Sequence, residues 1–319
     1  MNILSFLKLV EIQTKVASTI PFLLGTIYTI YRYNSFSLKN FIIMAVSLIS
    51  FDMVTTTINN YIDYLQANKK RGYNYEIHNA IVSYDIKETT VKIIITILLA
   101  LAIVFGIILY INTDLVVLVL GIISFGVGVL YTFGPIPISR MPLGEIFSGL
   151  FMGFIITFIS VYIHIYNSDI AFIVYENGIV NIKFDIIEIV ILFLVSLPAV
   201  LGISNIMLAN NICDIEDDIE NKRYTLPIYI GKNKALKLFK WLYYIIFIDI
   251  ITLLIIQVLP IISLLVILVV IPVNKHINIF FTKQTKEETF IISVKNFILI
   301  NISYILTISI GALLYSLQL

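Results

Sequence analysis

The sequence predicts an all-α fold: a polytopic membrane helical bundle of about nine transmembrane helices, with polar cap loops on its cytoplasmic side. Three observations predict it. The chain of 319 residues is 59% hydrophobic, with a mean hydropathy of +0.99. Its apolar runs repeatedly approach the roughly 20 residues needed to cross a bilayer. Its lysines and arginines gather in alternate connections between those runs, the asymmetry that orients membrane helices.

The runs fall at about Val16–Tyr31, Phe41–Asn60, Val91–Ile111, Leu115–Phe133, Leu143–Tyr166, Ile189–Ala209, Ala235–Val258, Pro260–Val273 and Phe297–Leu317. The first and the eighth are short. Pro21, Pro198 and Pro260 lie within or beside runs, where they kink or start helices, and a bundle tolerates this. Gly134, Pro135 and Pro137 suit a turn between the fourth and fifth spans. The stretch from Asn167 to Asp185 reads as an outer hairpin with no obvious chemistry. The N-terminal MNILSFLKLVEIQTK carries charges where a cleavable signal needs an uninterrupted apolar core. A balance of 21 basic to 20 acidic residues argues against nucleic acid as a partner, and the single Cys213 excludes an internal disulfide.

With the N-terminus in the cytoplasm, eighteen of the 21 basic residues fall on that side and only Arg32, Lys39 and Lys183 outside. The cytoplasmic set includes Lys69, Lys70 and Arg71 after the second span, Arg140 after the fourth, Lys222, Arg223 and Lys232 after the sixth, and Lys283 and Lys286 before the last. Two acid-amide rows end on the same side. One is Asn59-x-x-x-Asp63 and the other Asn210-x-x-x-Asp214-x-x-x-Asp218, each closing a long apolar run. Residues four apart share a helix face about 6 Å apart along the axis, so each row aims its oxygens one way. Such hard-oxygen rows suit Mg²⁺, which one or two carboxylates hold while substrate phosphates complete the shell. The rows recur at equivalent places on the second and sixth spans, a weak internal repeat of the kind that often carries a site. Each is followed by a polar, basic loop, which reads as a cap with lysine and arginine available to a diphosphate.

These residues carry a resemblance. NNYIDY at Asn59–Tyr64, YTFGPIPISRMPLGE at Tyr131–Glu145 and NNICDIEDDIENKRYTL at Asn210–Leu226 resemble the motifs of the UbiA superfamily of intramembrane aromatic prenyltransferases. Within it they resemble the MenA-type enzymes that prenylate 1,4-dihydroxy-2-naphthoate for menaquinone. The resemblance implies one prenyltransferase transmembrane domain over residues 1–319, in a bacterial cell membrane, with its active site facing the cytoplasm. It implies Mg²⁺ held by Asp63, Asp214 and Asp218, with amide oxygens from Asn59 and Asn210, against the diphosphate of a polyprenyl donor. Arg140, Lys222 and Arg223 would neutralise the leaving group. Tyr131 would face the allylic cation through its ring while an aromatic acceptor attacks it. 4-Hydroxybenzoate and haem are alternative acceptors, and a catalytically inactive membrane homologue is the alternative to an enzyme.

Several positions depart from the family pattern. Ala67, Asn68 and Lys69 stand where a further acid is usual, Asn60 where an aspartate is usual, Pro142 in place of a glycine, and Glu11 and Lys15 near the usual place of an arginine. Other polar residues have plainer readings. Glu216, Asp217 and Glu220 lie off the ligand face and read as solvated. Asp52 continues the first row into the membrane, where an acid must either line the pocket or pair with another span. Asp249, alone in the seventh span, reads as a structural hydrogen-bonding partner. His78, His164 and His276 lack ligand spacing, although His78 falls in a cap loop. A transporter would place its acids near the midplane within broken helices, whereas these cluster at one mouth.

Overall fold

The computed structural model describes residues 2–66, 79–132 and 137–317. Ala67, Asn68, Lys69, Lys70, Arg71, His78, Phe133, Gly134 and Pro135 lie outside the described residues. Among the described residues all nine expected runs are helical, and seven helical segments are long and apolar enough to cross a membrane. The chain is an integral membrane protein. The two expected runs outside those seven are the helices Val16–Tyr33 and Leu115–Thr132, each of 18 residues. The eighth run, expected short, belongs to the segment Ile261–Thr282. Its apolar window closes at Asn274 and Lys275, but the helix continues to Thr282.

The described residues cluster into two compact units, and the second helix contributes to both. Unit 1 comprises Met1–Thr19 and Leu38–Thr113. Its helices are α1 (Ile3–Leu9), the first turn of α2 (Val16–Tyr33), α3 (Leu38–Gln66), the short α4 (Ala80–Ser83) and α5 (Glu88–Asn112). Asn2 opens α1 with a capping box, its side chain accepting from Ser5 N–H while Ser5 Oγ accepts from Asn2 N–H. Asn79 opens α4 and also donates to the carbonyl of Asn60 on α3 at 2.8 Å. An apolar cluster of Leu9, Val10, Val54, Ile81, Val91 and Leu98 ties α1, α3, α4 and α5 together. The opposite side of α5 leaves Ile93, Ile97, Ile107 and Ile111 exposed, as a lipid-facing stripe requires.

Unit 2 comprises Ile20–Ser37 and Asp114–Leu319. After α6 (Leu115–Thr132) and a 3₁₀ turn at Ile138–Arg140 comes a single span, Gly144–Ile165, in three stretches. It runs as α7 (Gly144–Ser148), a π-helical stretch (Gly149–Ile155) and α8 (Ile156–Ile165). The strands β1 (Ala171–Glu176) and β2 (Ile179–Phe184) then form an antiparallel hairpin. Its turn residues Asn177 and Gly178 have φ of 50° and 80°, the doubly left-handed geometry that matches strand twist. The chain continues through α9 (Ile186–Cys213), α10 (Ile215–Glu220), α11 (Leu226–Ile230), α12 (Lys232–Ile255), a 3₁₀ segment (Ile261–Val269), α13 (Val270–Thr282) and α14 (Ile291–Leu317).

Small residues bring the π-helical stretch against α9. A Cβ on Gly153 would lie 2.5 Å from Val200 Cα, and one on Gly149 would lie 2.7 Å from the Val200 carbonyl oxygen. The pair Gly149-x-x-x-Gly153 is the small-residue spacing that lets membrane helices touch through their backbones. Pro198 lies within α9 two residues before Val200, and its carbonyl accepts from Asn301 Nδ2 of α14 at 3.2 Å.

Gly153→Ala is expected to lower the thermal midpoint of the detergent-solubilised protein, at a cost of about 1–3 kcal/mol for forcing backbones apart. Gly121→Ala, whose Cβ meets nothing within 4 Å, should leave the midpoint unchanged or raise it slightly. Equal midpoints in a thermal unfolding comparison would show that the contact at Val200 is not tight.

Candidate active site

The second acid row is split between two helices. α9 ends at Cys213, Asp214 takes φ −99° and ψ 8°, and α10 starts at Ile215. The turn spacing survives the break, because Asp214 N–H donates to the Asn210 carbonyl at 3.1 Å and Asp218 N–H to the Asp214 carbonyl at 2.7 Å. Asp214 and Asp218 are both buried, at 9% and 4% exposure. Glu216, Asp217 and Glu220 are exposed. The row therefore has one sheltered face carrying two carboxylates, and a solvated face carrying the rest.

The loop after α10 closes over that face. Lys222 turns through a left-handed φ of 54°, so the chain reverses. Arg223 N–H then donates to the Asp218 carbonyl at 2.8 Å, and Tyr224 N–H to the Arg140 carbonyl at 3.2 Å. Thr225, itself buried, donates its hydroxyl to Asp218 Oδ2 at 3.0 Å. The Arg140 turn and the Arg223 loop are thereby joined beside the carboxylates, while the side chains of Arg140, Lys222 and Arg223 stay exposed. Burial raises the Asp218 pKa above the usual carboxylate range, the charge of Asp214 adds to it, and Thr225, Arg223 and Lys286 oppose it. A bound cation would act in the same sense as those opposing groups.

Two contacts here were not foreseen from sequence. Lys286, in the connection between α13 and α14, places its ammonium 2.5 Å from Asp214 Oδ2. Glu145, at the second residue of α7, is 4% exposed, and its Oε1 accepts from Asn211 Nδ2 at 2.8 Å while its carbonyl accepts from Ser204 Oγ. The other oxygen, Glu145 Oε2, is buried without a hydrogen-bond partner. Tyr131 lies at the end of α6 within electrostatic reach of Glu145, with its buried hydroxyl beside Ser148. Asn210 turns its amide nitrogen toward Asp214 Oδ2 at 3.4 Å, so offering an oxygen to a metal would require the flipped amide. Glu145 and Asn211 stand inside the quoted motifs and were findable there; Lys286 carries no local signal.

The first row lies at the end of α3 in unit 1. Among the described residues Asn59 Oδ1 is buried without a hydrogen-bond partner, and Asp63 is exposed in the last turn. Asn60, where an aspartate was expected, is structural: its Nδ2 donates to the Leu9 carbonyl at 3.0 Å and to Glu11 Oε1 at 3.2 Å. Asp52 pairs with another segment. Lys15 Nζ lies 2.6 Å from Asp52 Oδ1, also donates to Thr56 Oγ1, and is only 4% exposed, while Ser18 donates to the other Asp52 oxygen. Asp249 is buried at 6% exposure with Oδ2 unpartnered, so that oxygen does not make the expected hydrogen bond. His164 is satisfied at Nδ1 by Ser37 N–H. His276 Nδ1 meets Asn296 Oδ1 at 2.6 Å.

The donor chemistry of the second row fits Mg²⁺. Among the described residues no three His, Cys, Asp or Glu side chains come together as a complete metal cage. A pair of carboxylates with open positions is what Mg²⁺ takes from a protein when substrate phosphates complete its octahedron.

Comparison with known proteins identifies the family of the chain. The model of the UbiA prenyltransferase family matches residues 18–300. A 1,4-dihydroxy-2-naphthoate octaprenyltransferase of Bacillus subtilis is 30% identical over 230 residues, 71% of this chain and 66% of the relative, just under two thirds of its length. Two solved structures share the fold. A UbiA homolog from Aeropyrum pernix has a TM-score of 0.63 at 18% identity, over 92% of this chain and 98% of its own. One from Archaeoglobus fulgidus, bound to DMAPP and Mg²⁺, has a TM-score of 0.61 at 14% identity, over 96% and 99%. The match over residues 18–300 takes in both acid rows and nearly every span: the chain belongs to the UbiA prenyltransferase family.

Proposed function

We propose that this protein is a Mg²⁺-dependent polyprenyltransferase that moves the polyprenyl group of a polyprenyl diphosphate onto an aromatic acceptor, 1,4-dihydroxy-2-naphthoate, in menaquinone biosynthesis. The observation that carries this reading is the sheltered pair Asp214 and Asp218, with cationic side chains beside it. The B. subtilis relative supports the acceptor. The A. fulgidus structure with DMAPP and Mg²⁺ supports the donor class and the metal. Each acid row is assigned to Mg²⁺, the second on its geometry and Asn59 with Asp63 on its sequence spacing.

Bound Mg²⁺ supplies Lewis-acid neutralisation of the leaving diphosphate. Asp214 and Asp218 would hold the ion, and Arg140, Lys222 and Arg223 would stabilise the diphosphate as negative charge builds on it. The donor's C1–O bond breaks, its electron pair leaving with the diphosphate. Tyr131 lends its ring face to the allylic carbon, which carries positive charge in this step. The electron-rich carbon of the acceptor bonds to C1. In the naphthoate case that carbon is the one bearing the carboxylate: its C–CO₂⁻ bond breaks, and the electrons of that bond restore the aromatic ring as carbon dioxide departs. The host is a bacterial cell membrane with both acid rows on the cytoplasmic side, which the basic residues of the cap loops favour.

Asp214→Asn is expected to reduce Mg²⁺-dependent pyrophosphate release by about two or more orders of magnitude, because the amide keeps the shape but loses the charge. Asp217→Asn, on the exposed face, should keep most of the activity. The assay uses a polyprenyl diphosphate with dihydroxynaphthoate, on variants of matched thermal stability, and the product mass must show prenylation with loss of carbon dioxide. Near-normal turnover in the Asp214 variant would exclude this site.

The orientation is tested by labelling. In a background with Cys213 replaced, a cysteine at Val180 on the hairpin should react with an impermeant reagent in intact cells, and one at Lys232 should react only after lysis. The reverse pattern would overturn the topology.

A further inference from the structure

We infer that Lys286 is an exchangeable counter-cation of the Asp214 carboxylate: it occupies the cation position while the metal is absent, and becomes a diphosphate contact once metal and donor are bound. The inference rests on the assignment of Asp214 to Mg²⁺.

The geometry has three parts. The ammonium lies 2.5 Å from Asp214 Oδ2, the side chain of Asp214 is 12% exposed and that of Lys286 is 55% exposed. Lys286 is also within electrostatic reach of Asp218, so it serves both carboxylates of the row. A lysine that open to solvent is not a packed strut, and four rotatable bonds let its head leave Asp214 without disturbing a core. Its base, by contrast, is held. Thr285 N–H donates to Thr289 Oγ1 at 2.9 Å, the Thr289 hydroxyl returns to the Thr285 carbonyl at 3.1 Å, and the Thr289 and Phe290 N–H groups both donate to that carbonyl. Thr289 is 4% exposed, which anchors the turn at the start of α14. The neighbouring Lys283 is occupied with Glu288 at 2.6 Å, so Lys286 is the lysine of this connection turned to the carboxylates.

The charges explain the exchange. Two buried carboxylates one turn apart repel each other and require positive charge in reach. An ammonium meets that need as a point charge, and so does a divalent ion; two cations held at one oxygen repel each other, so each weakens the hold of the other. When a metal takes Asp214, the ammonium is released beside incoming phosphate oxygens, which a charged donor binds strongly. Lys286 thus opposes metal binding alone and favours binding of the donor.

The test uses the full-length protein in detergent, with Mn²⁺ alone followed by electron paramagnetic resonance, and separately the KM for a polyprenyl diphosphate at saturating Mg²⁺. Lys286→Gln is expected to tighten Mn²⁺ binding about two- to fivefold, the worth of a largely exposed ion pair. It should raise the donor KM about tenfold, with a smaller change in kcat. Lys283→Gln should alter neither. Unchanged or weaker Mn²⁺ binding in Lys286→Gln, at an unchanged thermal midpoint, would overturn the exchange. Asp214→Asn separates the two levels. If it weakens Mn²⁺ binding while Lys286→Gln does not tighten it, the exchange alone is wrong; if it leaves Mn²⁺ binding intact, the metal assignment fails and the exchange with it.

Discussion

Repulsion between two sheltered carboxylates organises the candidate site. Asp214 and Asp218 sit one turn apart, and both are withdrawn from water. Burial and the neighbouring charge of Asp214 both raise the pKa of Asp218, so cations and donors must converge there to hold its charge. The surrounding structure supplies that convergence from three directions: Lys286 from the connection before α14, Arg223 and Thr225 from the loop after α10, and the Arg140 turn hydrogen-bonded to that loop. A divalent cation with a diphosphate would meet the same demand more completely, which is why the pair reads as a working site.

The helix break at Asp214 follows from the same demand. A continuous helix would carry Asp218 straight on along the axis of α9. Restarting the helix at Ile215 keeps the i to i+4 spacing of the two acids and starts a short element whose following loop folds back onto them. The left-handed Lys222 makes that reversal possible. Behind it, Gly149 and Gly153 let the Gly144–Ile165 span approach α9 through its backbone, which sets Glu145 against Asn211 beside the row.

In unit 1 the polar groups divide into those spent on structure and those left open. Lys15 and Ser18 consume the carboxylate of Asp52, and Asn60 is consumed by the carbonyl of Leu9. Asn59 keeps a buried oxygen without a partner among the described residues. A buried polar atom in that state costs free energy, and one at the end of a ligand row is the kind a bound cation would satisfy.

What the sequence determined by itself is the membrane bundle, its helices and the two acid rows, because these rest on local rules. Hydropathy decides which stretches enter lipid, and a spacing of four decides which side chains share a helix face. It also separated Asp214 and Asp218 from Asp217, since face follows from periodicity alone. The outer hairpin was legible for a similar reason, its Asn177-Gly178 turn being a local signal. Tertiary structure alone decided the partners. Lys15 finds Asp52 across 37 positions and Glu145 finds Asn211 across 66, while Lys286 reaches Asp214 from another connection altogether. Periodicity cannot choose which of 21 basic residues meets which of 20 acids. That choice depends on how closely helices approach, and the approach is set here by glycines, a proline and backbone contacts spread over distant parts of the chain.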